Sequence, residues 1–552
     1  MTFMTIQPQM AAAAADVARI GSAISEANAA AAGRTTDVLA AGVDEVSAAT
    51  TTLFNSYAQE YQAVLKQAKA FQDEFAQALS AAWSAYSETE AVNAAAANVT
   101  LVMGGSGNPN PPPSYVDAVV TKYITPHFPG FTVSDAQSLF TPEAFYPLTG
   151  IKDLTPNVSV SRGVTILDGA IQQQLSAGNN VAVLGFSQSS IIASLEMANL
   201  DPNGTPSSLP VVFTLLGDPM NPNGGLLAQF PGLVIPSLGF TFYGATPGND
   251  FVTNIYTIEY DGFADFPQYP IDFLADLNAI AGIYYVHGTY ADLTPTQIGS
   301  AIPLTNTAGP TLTNYYMIPN PHLPLLEPLR AVPVAGTPLA DLVEPDTRVL
   351  VNLGYGSPDQ GWSTGPPNVP TPFGLFPPVN PVNVLGALAT GTQQGIGAFA
   401  SDLGSAGTGL SPSGPSLSGL SHMLPSIALP QPGPPSVPTI PGIIGSLQAA
   451  NTDFTTAFTS ALSTGYSVLL PTADFATAAV LSVPSYDINL FLNGILQAIN
   501  GDPIGLIDAV GDPIAADIAL FTIAGGFEAI VLASAARRLS PISRVSDALF
   551  RL

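Results

Sequence analysis

The sequence predicts an α/β protein whose parallel sheet lies in the middle of the chain. Three observations support this prediction. Residues 7–92 are Ala-rich, nearly free of Gly and Pro, and helical in period. Apolar runs then alternate with helical stretches up to about residue 355, as in a parallel sheet covered on both faces. Gly, Pro and Ser dominate residues 356–445, and an apolar helical pattern returns in residues 446–552.

These changes in composition divide the chain into four predicted parts. Residues 1–95 form a helical hairpin, and residues 96–355 form the α/β domain. Residues 356–445 are a Pro/Gly/Ser-rich linker. Residues 446–552 are a helical C-terminal region whose role the sequence does not indicate.

Composition excludes several classes of partner and cofactor. The chain has 13 Lys+Arg against 40 Asp+Glu, a formal net charge of −27, and no Lys or Arg between Arg162 and Arg330. Nucleic-acid binding and polybasic contact with an anionic membrane are therefore excluded. There is no Cys and no His-Glu-x-x-His pattern among the 4 His, so we expect neither a metal nor any other cofactor.

Two segments of the sequence bear on export and on membrane insertion. The N-terminus lacks a basic region followed by a long apolar run, so we expect no cleavable secretory signal. The segment Ile518–Ala536 contains Glu528 and follows Asp517. It predicts a buried helix rather than a transmembrane span.

The N-terminal region has the pattern of two antiparallel helices. A break at Gly33-Arg34-Thr35-Thr36 separates them. Such a hairpin has too small an interior to bury its own apolar stripe, so we expect a partner. From Val46 onward the stripe comprises Leu53, Tyr57, Tyr61, Leu65, Phe71, Phe75 and Leu79.

The central region shows strands and helices in turn. The predicted helices include Ser161–Ser176, a stretch ending at Leu200, and Ile271–Ile283. The predicted strands are Val99–Met103, Val181–Leu184, Val211–Leu216 and Thr253–Tyr260.

A candidate nucleophile lies between one of these strands and the helix after it. The pentapeptide Gly185-Phe-Ser-Gln-Ser189 has small residues two before and two after Ser187, as a nucleophile elbow requires. This context favours a nucleophile over a plain turn and predicts that Ser187 projects from the carboxyl end of the sheet.

A serine nucleophile needs a base and an acid that orients it. In the order typical of an α/β hydrolase, both follow the serine. We favour His287, which follows the helix after the last recognisable strand, over His322 in a Pro-rich loop. For the acid, Asp261 at a strand end comes first. Asp265 is a close second, and Asp218, which could instead shape a turn, is third.

An oxyanion hole needs two hydrogen-bond donors near the nucleophile. The backbone N–H of Gln188 is the first candidate. The second is Ser106, in the Gly-rich segment Met103–Asn108 after the first strand, with an ordinary turn as the other interpretation.

The N-terminal residues resemble the PE domain of mycobacterial PE proteins. The chain departs from the family's Pro-Glu signature with Pro8-Gln9. This resemblance implies docking on a helical partner of the PPE family. The matching stretches are Asp16-Val-Ala-Arg-Ile-Gly-Ser22, Asn28-Ala-Ala-Ala-Ala32, Asp44-Glu-Val-Ser-Ala48 and Leu53-Phe-Asn-Ser-Tyr-Ala-Gln59.

A short motif after the hairpin is similar to the Tyr-x-x-x-Asp/Glu signal of type VII secretion. Tyr86 and Glu90 are four residues apart and share one face of a helix, so a receptor or secretion chaperone can contact both. The resemblance implies export to the cell envelope or beyond without a cleaved signal.

Residues from about 98 to 355 resemble the PE-PPE domain, a serine α/β hydrolase related to cutinases. The resemblance implies Ser187 as nucleophile, His287 as base and an acid in Tyr260-Asp261, and His287-x-x-Tyr290 is similar to the cutinase His-x-x-Tyr. Cutinase disulfides are absent, which predicts that packing alone holds the acid and base loops. Further matches are Phe145-Tyr-Pro-Leu-Thr-Gly150, Tyr260-Asp-Gly-Phe-Ala-Asp-Phe-Pro267, Leu274-Ala-Asp-Leu-Asn278 and Leu323-Pro-Leu-Leu-Glu-Pro-Leu-Arg330.

The expected function is therefore an exported serine esterase or lipase that acts on acyl esters. Two alternatives remain open at this point. The acyl group could be transferred to an alcohol such as a trehalose-type glycolipid, or the fold could be inert and serve as an envelope interaction protein.

Overall fold

The computed structural model describes residues 97–409 and 465–549 continuously. Of the first 96 residues it describes 19–22, 26, 28–29, 31–33, 36–63 and 69. The secretion motif Tyr86/Glu90 and the stripe residues from Leu65 to Leu79 lie outside the described residues.

A seven-stranded sheet, ordered β2-β1-β3-β4-β5-β7-β6, forms the centre of the described region. Neighbouring strands are parallel, except that β6 pairs antiparallel with β7. This architecture confirms the predicted fold class. The strands are β1 (Asn98–Val102), β2 (Ala136–Ser138), β3 (Asn180–Phe186), β4 (Val211–Leu216), β5 (Val252–Ile258), β6 (Ile302–Pro303) and β7 (Thr313–Ile318).

Helices cover the sheet, and further helices come after it in the chain. Those with seven or more residues, numbered from the start of the α/β domain, are α1 (Pro113–Val119), α2 (Pro156–Ser176), α3 (Gln188–Leu200), α4 (Phe273–Tyr285), α5 (Gly336–Leu353), α6 (Pro381–Gly409), α7 (Gly465–Ile499) and α8 (Gly505–Leu549).

Both faces of the sheet are buried. Successive residues of β3 belong to different apolar clusters, Val183 to one and Leu184 to the other, because side chains alternate along a strand. The first cluster also contains Leu520 and Ile523 of α8, so the C-terminal helices pack on the α/β domain.

Strand β7 was not predicted from the sequence. Its residues pair with β5 in register from Thr253–Thr313 to Ile258–Ile318. The premise that His287 follows the last strand is therefore wrong, since His287 precedes both β6 and β7 in the chain.

The prediction of a linker over residues 356–445 is wrong for residues 381–409, which form α6. This helix packs against α5, and its glycines allow the two backbones to approach closely. A Cβ atom at Gly395 would lie 2.1 Å from the backbone oxygen of Leu342. Residues 410–445 lie outside the described residues.

The break in the N-terminal hairpin also differs from the prediction. Gly33 and Thr36 are helical, and the break lies at residues 37–44. The second helix begins after Asp44, whose carboxylate accepts a hydrogen bond from Ser47 N at 2.9 Å and so caps the helix. Much of its described apolar stripe is exposed, from 55% for Leu53 to 64% for Tyr57.

Among the described residues, two helices are long and apolar enough to cross a membrane, namely Gly465–Ile499 and Gly505–Ala533. Length and composition are weak evidence, because core helices of soluble proteins also meet these criteria. The absence of a transmembrane span in Ile518–Ala536 therefore stays a prediction.

Candidate active site

Ser187 lies in the tight turn between β3 and α3. Its backbone has φ 57° and ψ −116°, a strained conformation for a residue other than glycine. The turn excludes a side chain at Gly185, where a Cβ atom would lie 2.6 Å from the oxygen of Ser189. The hydroxyl of Ser189 accepts a hydrogen bond from Phe186 N at 2.8 Å and closes the turn. This is the strand–turn–helix geometry of a nucleophile elbow.

The structure brings Ser187, His287 and Asp261 together. Ser187 Oγ lies 2.7 Å from His287 Nε2. His287 Nδ1 lies 2.8 Å and 2.9 Å from the two carboxylate oxygens of Asp261. Ser187 and His287 are each 8% exposed and Asp261 is fully buried, so little water competes for these hydrogen bonds. The base can therefore take the serine proton while the carboxylate holds the imidazole in one tautomer.

Tyr290 holds Asp261 in position, and Gly217 leaves room for it. The hydroxyl of Tyr290 donates to Asp261 Oδ2 at 2.7 Å and accepts from Ile258 N at 2.9 Å. Gly217, directly after β4, has φ +54°, and a Cβ atom there would lie 3.1 Å from Asp261 Oδ2 and 3.2 Å from His287 Cε1. Sequence analysis did not single out Gly217. The sequence signal that could have identified Gly217 is its position at the end of a strand, directly before Asp218-Pro219.

The other acid and base candidates make their hydrogen bonds and contacts outside the series formed by Ser187, His287 and Asp261. Asp265 accepts from Tyr260 N at 2.9 Å, and burial raises the pKa of Asp265 well above its usual range. Asp218 accepts from Thr246 Oγ1 at 2.6 Å, and burial raises the pKa of Asp218 to about 6. The His322 side chain is 51% exposed and lies 3.6 Å from Glu344.

The two oxyanion candidates line a cavity of about 400 Å³ together with Ser187. The hydroxyl of Ser106 is buried and has no hydrogen-bond partner among the described residues. Gln188 begins α3, where the first N–H groups of a helix have no intrahelical acceptor. Its side chain is held by Ser159 Oγ at 2.8 Å and by the oxygen of Ala144 at 2.9 Å.

The loop that carries Asp261 is held by more than packing, contrary to the prediction. Glu259 lies two residues before Asp261 and accepts from Gly361 N at 2.9 Å and from Asn320 N at 3.0 Å. Arg348 of α5 lies 3.8 Å from the same carboxylate. The half-buried guanidinium of Arg348 and two backbone donors thus stabilise the loop.

A buried carboxyl group lies beside the Gly-rich loop of Ser106. The backbone oxygen of Glu143 accepts from Gly107 N at 2.7 Å, and its Oε1 accepts from Thr141 Oγ1 at 2.6 Å. Oε2 of Glu143 and the hydroxyl of Tyr115 are both buried without a partner in the described region. Burial raises the pKa of Glu143 to about 8. The folded protein therefore binds a proton here that the unfolded chain releases near pH 4.5.

Stability should consequently fall as the pH rises from about 5 through 8, because ionising Glu143 requires a charge in an apolar site. We expect Glu143→Gln to remove part of this loss and to be more stable than the wild type at pH 8.5 by on the order of 2 kcal/mol. Urea unfolding at pH 5 and pH 8.5 measures the difference, with the exposed Asp117→Asn as control. An equal difference in the free energy of unfolding between variant and wild type at both pH values would contradict the raised pKa of Glu143.

The described residues contain no group of three or more His, Cys, Asp or Glu that could hold a metal ion.

Comparison with known proteins places these features in a family. The model of the PE family matches residues 4–93, and that of the PE-PPE domain matches residues 132–356. No solved structure matches the chain significantly.

Three relatives from Mycobacterium tuberculosis (strain ATCC 25618 / H37Rv) illustrate the range of names in this family. "Uncharacterized PPE family protein PPE28" is 53% identical over 82% of this chain and 68% of its own length. "Esterase PE16" is 49% identical over 68% of this chain and 73% of its own length. "SL1278 acyltransferase Chp1" is 35% identical over 39% of this chain and 52% of its own length. With an N-terminal PE region, a PE-PPE domain and relatives matched over most of their length, the chain belongs to the PE family of proteins that carry a PE-PPE domain.

Proposed function

We propose that the chain is a serine carboxylic-ester hydrolase that acts through an acyl-enzyme on Ser187. The observation that carries this proposal is the continuous hydrogen-bonded series Ser187–His287–Asp261 at 2.7 and 2.8 Å, on a strained elbow. The relative named "Esterase PE16" supports the same reaction class.

In this mechanism Ser187 Oγ attacks the ester carbonyl as His287 Nε2 takes its proton. Asp261 keeps the other ring nitrogen hydrogen-bonded and stabilises the imidazolium that forms. The Gln188 N–H and the unpartnered Ser106 hydroxyl stabilise the tetrahedral oxyanion. His287 then returns the proton to the leaving alcohol, and a water molecule hydrolyses the acyl-enzyme by the same steps.

A second candidate is transfer of the acyl group to an alcohol, such as the hydroxyl of a trehalose-type glycolipid. The relative named "SL1278 acyltransferase Chp1" and the low exposure of Ser187 and His287 favour this candidate. A site that admits little water prolongs the acyl-enzyme and gives an acceptor alcohol time to react. Product analysis with and without an added glycolipid separates the two reactions.

The test of the serine mechanism is covalent labelling of the full chain. We expect a fluorophosphonate to add one adduct per chain, mapped to the peptide of Ser187, and to abolish hydrolysis of p-nitrophenyl butanoate in proportion. A folded protein that neither reacts with the probe nor hydrolyses any ester would contradict the enzyme assignment. It would favour the alternative of an inert envelope interaction protein.

We also propose that the chain is exported through a type VII pathway to the cell envelope or the medium. Membership of the PE family and the pair Tyr86/Glu90 support this. The exposed stripe of the N-terminal hairpin, including Tyr57 and Tyr61, would contact a PPE-family helical partner or a secretion chaperone. We expect Tyr86→Ala to reduce the amount of the protein in the culture filtrate on immunoblots, and export equal to that of the wild type would contradict the proposal.

A further inference from the structure

A second cavity adjoins the one at Ser187, and the C-terminal helices form one of its walls. Its volume, counted together with the space at its opening to solvent, is about 770 Å³. The α/β domain contributes Phe145, Phe240 and Phe263 among other residues. The residues of α7 and α8 that line it include Phe475, Ala479, Leu520, Ile523, Ala524 and Phe527.

Three aromatic residues connect the two cavities. Phe145, Phe240 and Phe263 line both, and the Phe263 ring lies 4.7 Å from the ring of His287. Phe527 of α8 lies 6.1 Å from the Phe263 ring. The C-terminal helix is thus one aromatic ring away from the base.

The cavity accepts apolar ligands only. Among its lining residues Tyr146 alone has a polar side-chain atom, and this hydroxyl donates to Asp474 Oδ2 at 2.5 Å. A charged or hydrogen-bonding group placed there would lose its hydration without compensation. Each methylene group of a ligand that is buried there instead strengthens the ligand's binding about fourfold.

The fold fixes α7 and α8 in place around this cavity. The Tyr146–Asp474 hydrogen bond and a second one, from Ser237 Oγ to the Asp474 oxygen at 2.8 Å, hold α7 at the rim. At Ala478–Ser482 the helix widens into a π-helical turn, a feature common at functional sites. Gly526 lets α8 approach α4, because a Cβ atom there would lie 2.7 Å from Ile280.

We propose that α7 and α8 complete an acyl-chain site, so that the substrates are esters of long-chain fatty acids. The acyl chain extends from Ser187 past Phe263 into the cavity of about 770 Å³. This inference rests on the proposed ester hydrolysis and gives residues 465–549, beyond the matched PE-PPE domain, a role in substrate selection.

Filling the cavity tests the proposal. Ala479→Phe and Ala524→Phe each place a ring in the space for the acyl chain, whereas Ala476→Phe makes the same change on the exposed face of α7. We expect the ratio of kcat/KM for p-nitrophenyl hexadecanoate to that for the butanoate to fall at least tenfold in both cavity variants. The ratio in Ala476→Phe should stay within twofold of the wild type. An unchanged ratio in the cavity variants, with thermal unfolding showing a folded protein, overturns the proposal.

Binding separates this inference from the proposed reaction. The full chain with Ser187→Ala should bind the fluorescent fatty acid cis-parinaric acid saturably at one site, and adding Ala524→Phe should weaken this binding at least tenfold. No saturable binding overturns the acyl-chain site even if the wild type hydrolyses short esters. If the protein binds the fatty acid but hydrolyses no ester, the acyl-chain site is supported and the proposed hydrolase function is contradicted.

Discussion

Replacing Ser187 with Ala should lower kcat/KM for ester hydrolysis by at least about 10⁴-fold. The substitution removes the only nucleophile within 2.7 Å of His287 Nε2 that the described residues show. The oxyanion donors and the apolar cavity remain, so a small residual rate above the uncatalysed reaction is expected. Initial rates with p-nitrophenyl butanoate across substrate concentration measure the effect.

Ser190→Ala is the matched control. Its hydroxyl donates at 3.2 Å to the oxygen of Leu216 on β4, which also accepts from Ser187 N at 3.0 Å and so keeps a partner in the variant. The loss of one such hydrogen bond costs about 1 kcal/mol of stability and leaves the elbow in place. We expect kcat/KM within tenfold of the wild type. Activity in a folded Ser187→Ala protein above a tenth of the wild-type value would place the nucleophile elsewhere.

The site could be predicted from the sequence because its residues lie at the ends of short, strongly apolar strands. The run before Gly185 and the run before Asp261 indicate buried parallel strands, and parallel strands present their carboxyl ends at one edge of a sheet. A nucleophile and an acid that follow two such strands therefore lie close together in the fold.

The elements that were missed are those whose local sequence disagrees with their tertiary environment. The Thr-Asn-Tyr-Tyr-Met-Ile sequence of β7 mixes polar and apolar residues, although four of the six are buried in the fold. Helix α6 has Gly391 and Gly395, which suggest a linker in isolation. In the fold these glycines let α6 contact Asp346 and Leu342 of α5.

The acyl-chain site could not be predicted because it depends on long-range packing. Residues such as Phe145, Phe263 and Phe527 are separated by more than a hundred positions in the chain, yet their ring centroids lie between 6.1 Å and 6.4 Å apart in the fold. The periodic apolar pattern of the C-terminal region indicates helices but does not specify what they pack against.

Asp261→Asn should lower kcat by about 10⁴-fold at neutral pH, while Asp265→Asn should change it by less than about tenfold. An amide at position 261 presents either an N–H or a neutral oxygen to His287 Nδ1, which favours the wrong tautomer and leaves the imidazolium without a counter-charge. The two aspartates are four residues apart and were the two leading candidates from the sequence.

Their environments explain why the second substitution should be mild. Burial raises the pKa of Asp265 well above its usual range, and its carboxyl accepts from Tyr260 N rather than from His287. An Asn there keeps an oxygen that accepts from Tyr260 N. Values of kcat from pH 6 to 9, with unfolding curves for both variants, compare the two directly. A larger loss in Asp265→Asn than in Asp261→Asn would move the acid to Asp265 and would require the loop after β5 to rearrange when substrate binds.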